Sequence, residues 1–333
     1  MGDEMDGNYV NLEYSVALCT FNGERFVSEQ IQSIQGQTIP PKELIISDDG
    51  SDDRTLEIVE SYASKCTIPI KIIFNKGEHG VRGNFYTAIQ SCSYPIIFTC
   101  DQDDVWLPQK AETILPYFAD RKTQLVFSDG ELVNGELESL GTSIFHANGI
   151  TEKFLKEKDW ISYLYSNFLV TGATMAFRSS LMDNVSQFPE GWLHDSFLAF
   201  KAAAMGGMVA CEERLVLYRQ HGSNTLGMHE VTRAERLEQW KQRSKNLVSD
   251  RDKRYHRFLT LNEELHSCFT QEEQKRMDRF LSFLQDLAEA GRKPALIQIP
   301  TIVKHYCNGD FQEFYSGGKT AVLAILAAFI SKD

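Results

Sequence analysis

Three carboxylates fall within four residues at Asp101-Gln102-Asp103-Asp104, directly after the run Phe98-Thr99-Cys100. Such a density of negative charge calls for a compensating cation. Mg²⁺ and Mn²⁺ take oxygen ligands, commonly one or two carboxylates with substrate phosphates and water filling the shell, and an Asp-x-Asp leaves positions open for a diphosphate. A lone Asp-x-Asp is as readily a solvated turn, with Pro108 opening a helix after it, so its neighbours decide. A second acidic group, Asp48-Asp49-Gly50-Ser51-Asp52-Asp53, ends the run Leu44-Ile45-Ile46-Ser47. A carboxylate there can accept from the N3–H of uracil or thymine or from a ribose hydroxyl, while Ser51 or Asp52 can cap the next helix.

Two later segments add candidates. Asp195, in Gly191-Trp192-Leu193-His194-Asp195, precedes the apolar run Phe197 to Ala204 and so falls near a helix N-terminus, where it is either a cap or a placed base. Tyr218-Arg219-Gln220-His221-Gly222-Ser223-Asn224 is densely polar and follows a strand expected over Arg214 to Leu217. Between these groups, Gly77, Gly80 and Gly83 precede Asn84, where backbone could approach a pyrophosphate or simply turn from strand to helix.

The elements that must position these residues follow from periodicity. Short Val- and Ile-rich runs alternate with helix-period segments through the first half, the pattern of an α/β chain with parallel strands and crossover helices. Strands are expected at Tyr14 to Thr20, Glu43 to Ser47, Ile70 to Phe74 and Ile96 to Cys100. Helices are expected after Gly23, with Val27, Ile31 and Ile34 on one face, near Thr55 to Ala63, and from Asn84. In open α/β sheets ligands bind beyond the carboxyl ends of the strands, and Thr20-Phe21-Asn22-Gly23 and both acidic groups stand there. From Arg233 onward the pattern is helical and charged, with breaks at Gly291, Pro294, Pro300 and Gly309. This predicts a catalytic domain over 1–230 and a mostly helical region over 231–333.

Composition limits the partners. At 333 residues and 42% hydrophobic the chain can bury a large core and carry an appended element. A net charge of -12 disfavours loose binding to nucleic acid, which needs a broad basic surface. Seven scattered cysteines without a Cys-x-x-Cys pair, and an acidic start with no basic-apolar leader, point to a reducing, cytoplasmic setting.

In this order, strand, Thr-Phe-Asn-Gly loop, Asp-Asp-Gly-Ser and Asp-x-Asp, the motifs resemble those of the family 2 glycosyltransferases over residues 14–227. The resemblance implies a GT-A nucleotide-binding sheet flanked by helices, and transfer of a sugar from a nucleotide-sugar donor with inversion at the anomeric carbon. Thr20, Asn22 and Asp49 then look like nucleotide contacts, with Asp48 beside them, Asp101 the ribose contact and Asp103 the ligand of Mg²⁺ or Mn²⁺. Where the family often has Ala-Arg-Asn this chain has Arg82-Gly83-Asn84, which makes Arg82 a further candidate. Asp195 matches the family's catalytic base, although His194 stands where a Glu often precedes it. His221 and Ser223 resemble a segment that contacts the diphosphate or metal, with Arg219 a weaker candidate.

Neither Gln-x-x-Arg-Trp nor several apolar spans are present, which favours single addition over processive synthesis. Asp-Gln-Asp-Asp-Val-Trp with Arg-Gln-His-Gly-x-Asn resembles bacterial rhamnosyltransferases, implying dTDP-rhamnose as donor, a UDP-hexose next, and a saccharide or lipid-linked saccharide acceptor in cell-surface polysaccharide synthesis. Competing readings are a sugar nucleotidyltransferase, whose glycine- and Lys/Arg-rich phosphate loop residues 18–25 match poorly, and a non-catalytic carbohydrate-binding protein. Acceptor contacts are expected in loops over 130–170. Between Arg233 and Arg257 nine Lys or Arg face four Asp or Glu, and Ala321 to Ile330 is uninterruptedly apolar. Ten residues are too few to span a bilayer, so the tail either lies at an anionic membrane surface, packs on the protein, or joins a homo-oligomer.

Overall fold

The computed structural model describes residues 12–166, 169–221 and 247–314, together with 322, 324 and 325. In chain order the strands are β1 (Tyr14–Thr20), β2 (Glu43–Asp48), β3 (Ile70–Phe74), β4 (Ile96–Asp101), β5 (Val105–Trp106), β6 (Leu125–Val133), β7 (Ser139–Ser143), β8 (Met175–Arg178) and β9 (Met208–Arg219). They form one mixed sheet in the order β3-β2-β1-β4-β8-β6-β9-β5, with β7 paired to β6. The helices are α1 (Val27–Gln35), α2 (Thr55–Ala63), α3 (Val81–Gln90), α4 (Lys110–Ile114), α5 (Ile144–Ala147), α6 (Glu152–Glu157), α7 (Trp160–Ser166) and α8 (His194–Ala204), then α9 (Leu247–Leu265), α10 (Gln271–Gly291), α11 (Ala295–Cys307) and α12 (Asp310–Phe314).

β1 is buried at all seven residues, which explains why Val16-Ala17-Leu18 reads as a continuous apolar run rather than an alternation. Its neighbours β2 and β4 are both parallel to it, with Thr20 opposite Asp48 and Cys19 opposite Asp101. The carboxyl ends that carry the acidic groups therefore share one edge of the sheet. β2 and β4 each run one residue further than periodicity suggests, so Asp48 and Asp101 are the last strand residues. The segment expected as Arg214 to Leu217 is the end of a 12-residue strand whose exposed Glu212, Glu213 and Arg214 hide it from an apolar pattern. α3 begins at Val81, before Asn84, because Gly80 (φ 93) makes the turn. Ser51 and Asp52 do not cap α2; the residue before it is Arg54, and Asp53 Oδ1 accepts from Thr55 N at 2.9 Å.

The C-terminal helices pack on the sheet domain. Phe258 of α9 meets Trp192 and Phe200 at ring distances of 5.2 and 5.8 Å, and Phe280 of α10 meets Tyr165 of α7 at 4.5 Å. Such aromatic pairs contribute about 0.5–1.5 kcal/mol each beyond area burial. Thr270 and Glu273 form a capping box that starts α10. Gly291, Pro294 and Gly309 separate helices as expected, but Pro300 lies inside α11. Gln298 and Ile302, both fully buried, hold that helix across the one hydrogen bond the proline removes. Ala324 and Ile325 of the apolar tail lie against the core. Among the described residues no helix is long and apolar enough to cross a membrane. The domain boundary expected near residue 230 lies outside the described residues.

Candidate active site

The ends of β1, β2 and β3 are tied together by side chains. Asp48 is fully buried; its Oδ2 accepts from Thr20 Oγ1 at 2.7 Å and Ser51 Oγ at 2.6 Å, and its Oδ1 accepts from the N–H groups of Gly50 and Ser51. Both oxygens thus serve the loop itself, which places Asp48 behind the site rather than on its surface. Asn22, with φ 49, accepts from Asp52 N at 2.9 Å through Oδ1 and donates its own N–H to Ser51 Oγ. Asp49 gathers the next loop: Asn75 Nδ2, Gly80 N and His79 Nδ1 lie 2.7, 2.7 and 3.0 Å from its oxygens. An ionised carboxylate offers about four lone pairs, so capacity for one further donor remains. Arg82 pairs with Glu78 at 2.9 Å through Nε, and Gly83 is required because a Cβ there would lie 1.9 Å from the Glu78 carbonyl.

The acidic loop between β4 and β5 sends its side chains in different directions. Gln102 bridges to the β1 loop, accepting from Phe21 N and donating to Phe21 O, both at 2.9 Å. Gly23 leaves room for this bridge, since a Cβ there would lie 2.1 Å from Gln102 Oε1. Asp104 turns inward, accepting from Arg219 N at 3.0 Å. Arg219 is itself buried; its Nε donates to the Asp103 carbonyl at 2.7 Å, its other nitrogens reach the Gly135 carbonyl and Glu29, and its guanidinium stacks 4.5 Å from the Phe26 ring. That makes Arg219 a staple of the loop. Asp103 turns outward, its Oδ2 lying 2.8 Å from His221 Nε2. Ser223 lies outside the described residues.

A carboxylate and an imidazole side by side are suitable ligands for Mn²⁺ or Mg²⁺ when donor phosphates complete the shell. Among the described residues no group of three or more His, Cys, Asp or Glu could hold a metal without such help.

Burial raises the Asp101 carboxyl to about 7, with Asp103 and then Asp195 adding to the rise. Asp104 is pushed well above the ordinary range, first by burial and then by Asp103 and Asp101. The interior cation opposing both is Lys110, fully buried, whose Nζ donates to the Ala173 carbonyl at 2.7 Å and lies 3.9 Å from the Trp106 ring centre. Burial lowers this ammonium to about 7. Nothing in the sequence marks Lys110, which reads as an ordinary helical lysine two residues after Pro108. Asn84, which the sequence marks only as the start of a helix and the end of Arg82-Gly83-Asn84, is buried in α3, and its Nδ2 donates to the Thr20 carbonyl at 3.2 Å.

Asp195 occupies the first turn of α8, where the helix dipole favours an anion. Its Oδ1 accepts from Ser196 N at 2.6 Å, and the Gly172 backbone also bonds it. Burial nevertheless raises the carboxyl to about 6. His194 beside it is buried and stacks on Phe85 with ring centres 3.7 Å apart. Burial lowers its imidazole to about 3, so this histidine packs as a neutral ring. Its edge faces Gly172, where a Cβ would lie 2.5 Å from His194 Nε2. The carbonyl of the same Gly172 accepts from Thr99 Oγ1 at 2.6 Å. One short turn thereby links the end of β4, the buried Lys110 and Asp195.

A sequence model of glycosyl transferase family 2 matches residues 15–185, just over half of the 333-residue chain. An uncharacterised glycosyltransferase of Nostoc sp. is 25% identical over 224 residues, covering 64% of this chain and 66% of that one. The dTDP-rhamnosyl transferase RfbG of Shigella flexneri is 26% identical over 224 residues, covering 63% of this chain and 73% of that one. The chain thus spans about two thirds of the first relative's own length and nearly three quarters of the second's. Among solved structures, S. aureus TarS 1-349 in complex with UDP-GlcNAc superposes with a TM-score of 0.54 at 16% identity, over 96% of this chain and 91% of that one. The mannosyltransferase PcManGT from Pyrobaculum calidifontis, in complex with GDP-Man and Mn²⁺, gives 0.53 at 15% identity, over 96% and 86%. The likeness of fold includes the C-terminal helices as well as the GT-A sheet. By the domain matched over half of its length, the chain belongs to glycosyl transferase family 2.

Proposed function

We propose that the protein transfers a glycosyl group from a nucleotide sugar to an acceptor hydroxyl with inversion, and that Asp195 is the base. The observation that carries this reading is the place of Asp195, in the first turn of α8 with Oδ1 accepting from Ser196 N at 2.6 Å, near the acidic end of β4, where burial raises its carboxyl to about 6. Above that pH Asp195 is ionised and takes the acceptor proton as the oxygen forms its bond to the anomeric carbon. The bond from that carbon to the diphosphate breaks on the opposite face, and the nucleoside diphosphate leaves with the electron pair. Asp103 and His221 would hold Mg²⁺ or Mn²⁺, which supplies positive charge to the departing diphosphate. Thr20, Asn22 and Asp49 are the nucleotide contacts in this reading, Asp101 faces the ribose, and Ser223 joins His221 at the diphosphate. Asp48 contributes through the loop it organises. Arg82 is the least supported of the contacts, since it pairs with Glu78.

For the donor we favour dTDP-rhamnose, in keeping with the name of the Shigella flexneri relative. A UDP-hexose is the second reading. A shorter relative, from Escherichia coli, is named as a UDP-Glc-using glucosyltransferase of diphosphoundecaprenol-linked GlcNAc, at 28% identity over 121 residues. A saccharide or lipid-linked saccharide is the acceptor in either case. Competition between dTDP and UDP, followed by the mass of the product, separates the donors: a hexose increment excludes rhamnose. Donor turnover that is absent with every nucleotide sugar tried, in the presence of Mg²⁺ and Mn²⁺, refutes the catalytic reading.

A further inference from the structure

A cavity of about 350 Å³ lies between the start of α8 and the start of α9. One wall is Ser196 and Phe200, four apart on the helix that carries Asp195, with Trp192 just before its start. The facing wall brings Lys253, Arg254 and Arg257, and Asp250 is the only carboxylate among the described residues of the lining. Two of the cations are held by packing. Arg254 donates to the Tyr165 carbonyl at 2.5 Å, and Arg257 lies 4.5 Å from the Trp192 ring centre, while the Trp192 indole donates to the Arg257 carbonyl at 2.8 Å. Burial, and to a lesser degree the neighbouring Arg254, lower the Arg257 guanidinium to about 10. Lys253 differs from both in being exposed and in making no hydrogen bond or ion pair among the described residues.

Such a lining, three cations to one acid among the described residues and over an aromatic wall, is matched by a phosphate carried on a small polar body. We propose that this cavity seats a phosphate of the acceptor, so that the substrate is a saccharide or polyol bearing a phosphate ester or diphosphate, with its reacting hydroxyl directed to Asp195. The proposal rests on the glycosyl-transfer reading above. The acceptor phosphate is unchanged in the reaction: the hydroxyl proton goes to Asp195, the oxygen bonds to the anomeric carbon, and the nucleoside diphosphate departs. The phosphate could belong to a soluble ester or to a lipid diphosphate, and the test separates them.

Calorimetric titration of the full chain in chelator, which disfavours the donor diphosphate position, uses sn-glycerol 3-phosphate and geranyl diphosphate as probes, with glycerol and geraniol as neutral controls. At least one phosphate probe binds and neither control does. Lys253→Glu weakens that binding about tenfold or more, the scale of one charge-assisted contact, Lys253→Arg retains it, and Asp103→Asn leaves it unchanged. Binding of glycerol phosphate alone marks a soluble phosphate acceptor, and tighter binding of geranyl diphosphate marks a lipid-linked one. The proposal is overturned if neither phosphate binds, if Lys253→Glu has no effect, or if Asp103→Asn abolishes binding, which would put the anion at the donor position. Donor turnover is measured separately. Its absence beside intact Lys253-dependent binding refutes the transfer reading and leaves the phosphate site standing.

Discussion

Replacing Asp195 by Asn should make the protein more stable and nearly inactive. The folded carboxyl titrates at about 6 against an ordinary 3.8, because burial disfavours its charge. Between those values the folded chain holds more of the proton than the unfolded chain does, so stability falls as pH rises through this window. Above pH 6 the full penalty applies. A shift of roughly two units corresponds to about 3 kcal/mol, since each unit is worth about 1.4. Asn does not ionise, and its amide oxygen can still accept from Ser196 N and Gly172. The variant should therefore gain up to about 3 kcal/mol at pH 7.5, about 4 °C in Tm for a chain of this size, and the gain should vanish near pH 4.

Denaturant unfolding at pH 4, 6 and 7.5 measures the first effect, and nucleoside diphosphate release with acceptor measures the second. Turnover should fall about 10²-fold or more, while wild-type kcat/KM should rise about tenfold per pH unit up to 6 and then level. A variant no more stable at pH 7.5 than at pH 4, relative to wild type, would show that no buried charge has been relieved. Near-normal turnover would remove Asp195 from the chemistry altogether.

Other perturbations test the remaining parts. Asp103→Ala, or chelator added to wild type, should abolish donor turnover, and full activity in either case refutes metal use. Gly172→Ala puts a Cβ 2.5 Å from His194 Nε2, and Phe85 blocks the ring's retreat; about 1–3 kcal/mol should be lost, with turnover down about 10²-fold as Asp195 moves. Lys110→Met leaves the Ala173 carbonyl unpaired, costing about 1–3 kcal/mol, and donor affinity near pH 7 should fall as Asp101 loses its interior cation. Ending the chain at Phe314 removes the contacts of Ala324 and Ile325 with the core, so Tm should drop while flotation on anionic vesicles stays the same. Lost flotation with unchanged Tm would assign the tail to a membrane surface.

The central strands and the strand-end motifs were legible because both follow local rules. β1 carries the continuous apolar run Val16-Ala17-Leu18 since two parallel neighbours cover it, and Asp48 and Asp101 stand at the carboxyl ends of their strands, where the acidic runs begin. What the sequence could not convey was direction. Asp48 and Asp49 are adjacent and chemically identical, yet one closes its own loop and the other faces the loop after β3. Asp103 and Asp104 divide in the same way, outward to His221 and inward to Arg219. Lys110, Asn84 and Gly172 act through partners 63, 64 and 73 positions away, and no periodicity encodes such a pairing. His194 stands where the family often has Glu, and its ring fills the space between Phe85 and Gly172, where an ionised side chain would be buried without a partner.

The contact between Asp103 and His221, 118 positions apart, has its cause in the smallest strand of the sheet. β5 is two residues long, and it pairs antiparallel with β9 so that Val105 faces Leu217 and Trp106 faces Val216. Extending that register backward sets Asp104 level with Tyr218 and Asp103 level with Arg219, and the Arg219 N–H bond to Asp104 and Nε bond to the Asp103 carbonyl fix the loop there. His221 then emerges two residues beyond, within reach of the outward carboxylate. A slip of one residue in this pairing would exchange the inward and outward carboxylates, because strand side chains alternate with period two. Trp106 guards against the slip: it is buried beside Phe98, and Lys110 lies over its ring. The Asp103–His221 contact is thus held by packing beneath it, which is why buried Trp106 and Lys110 belong to the same argument as Asp103.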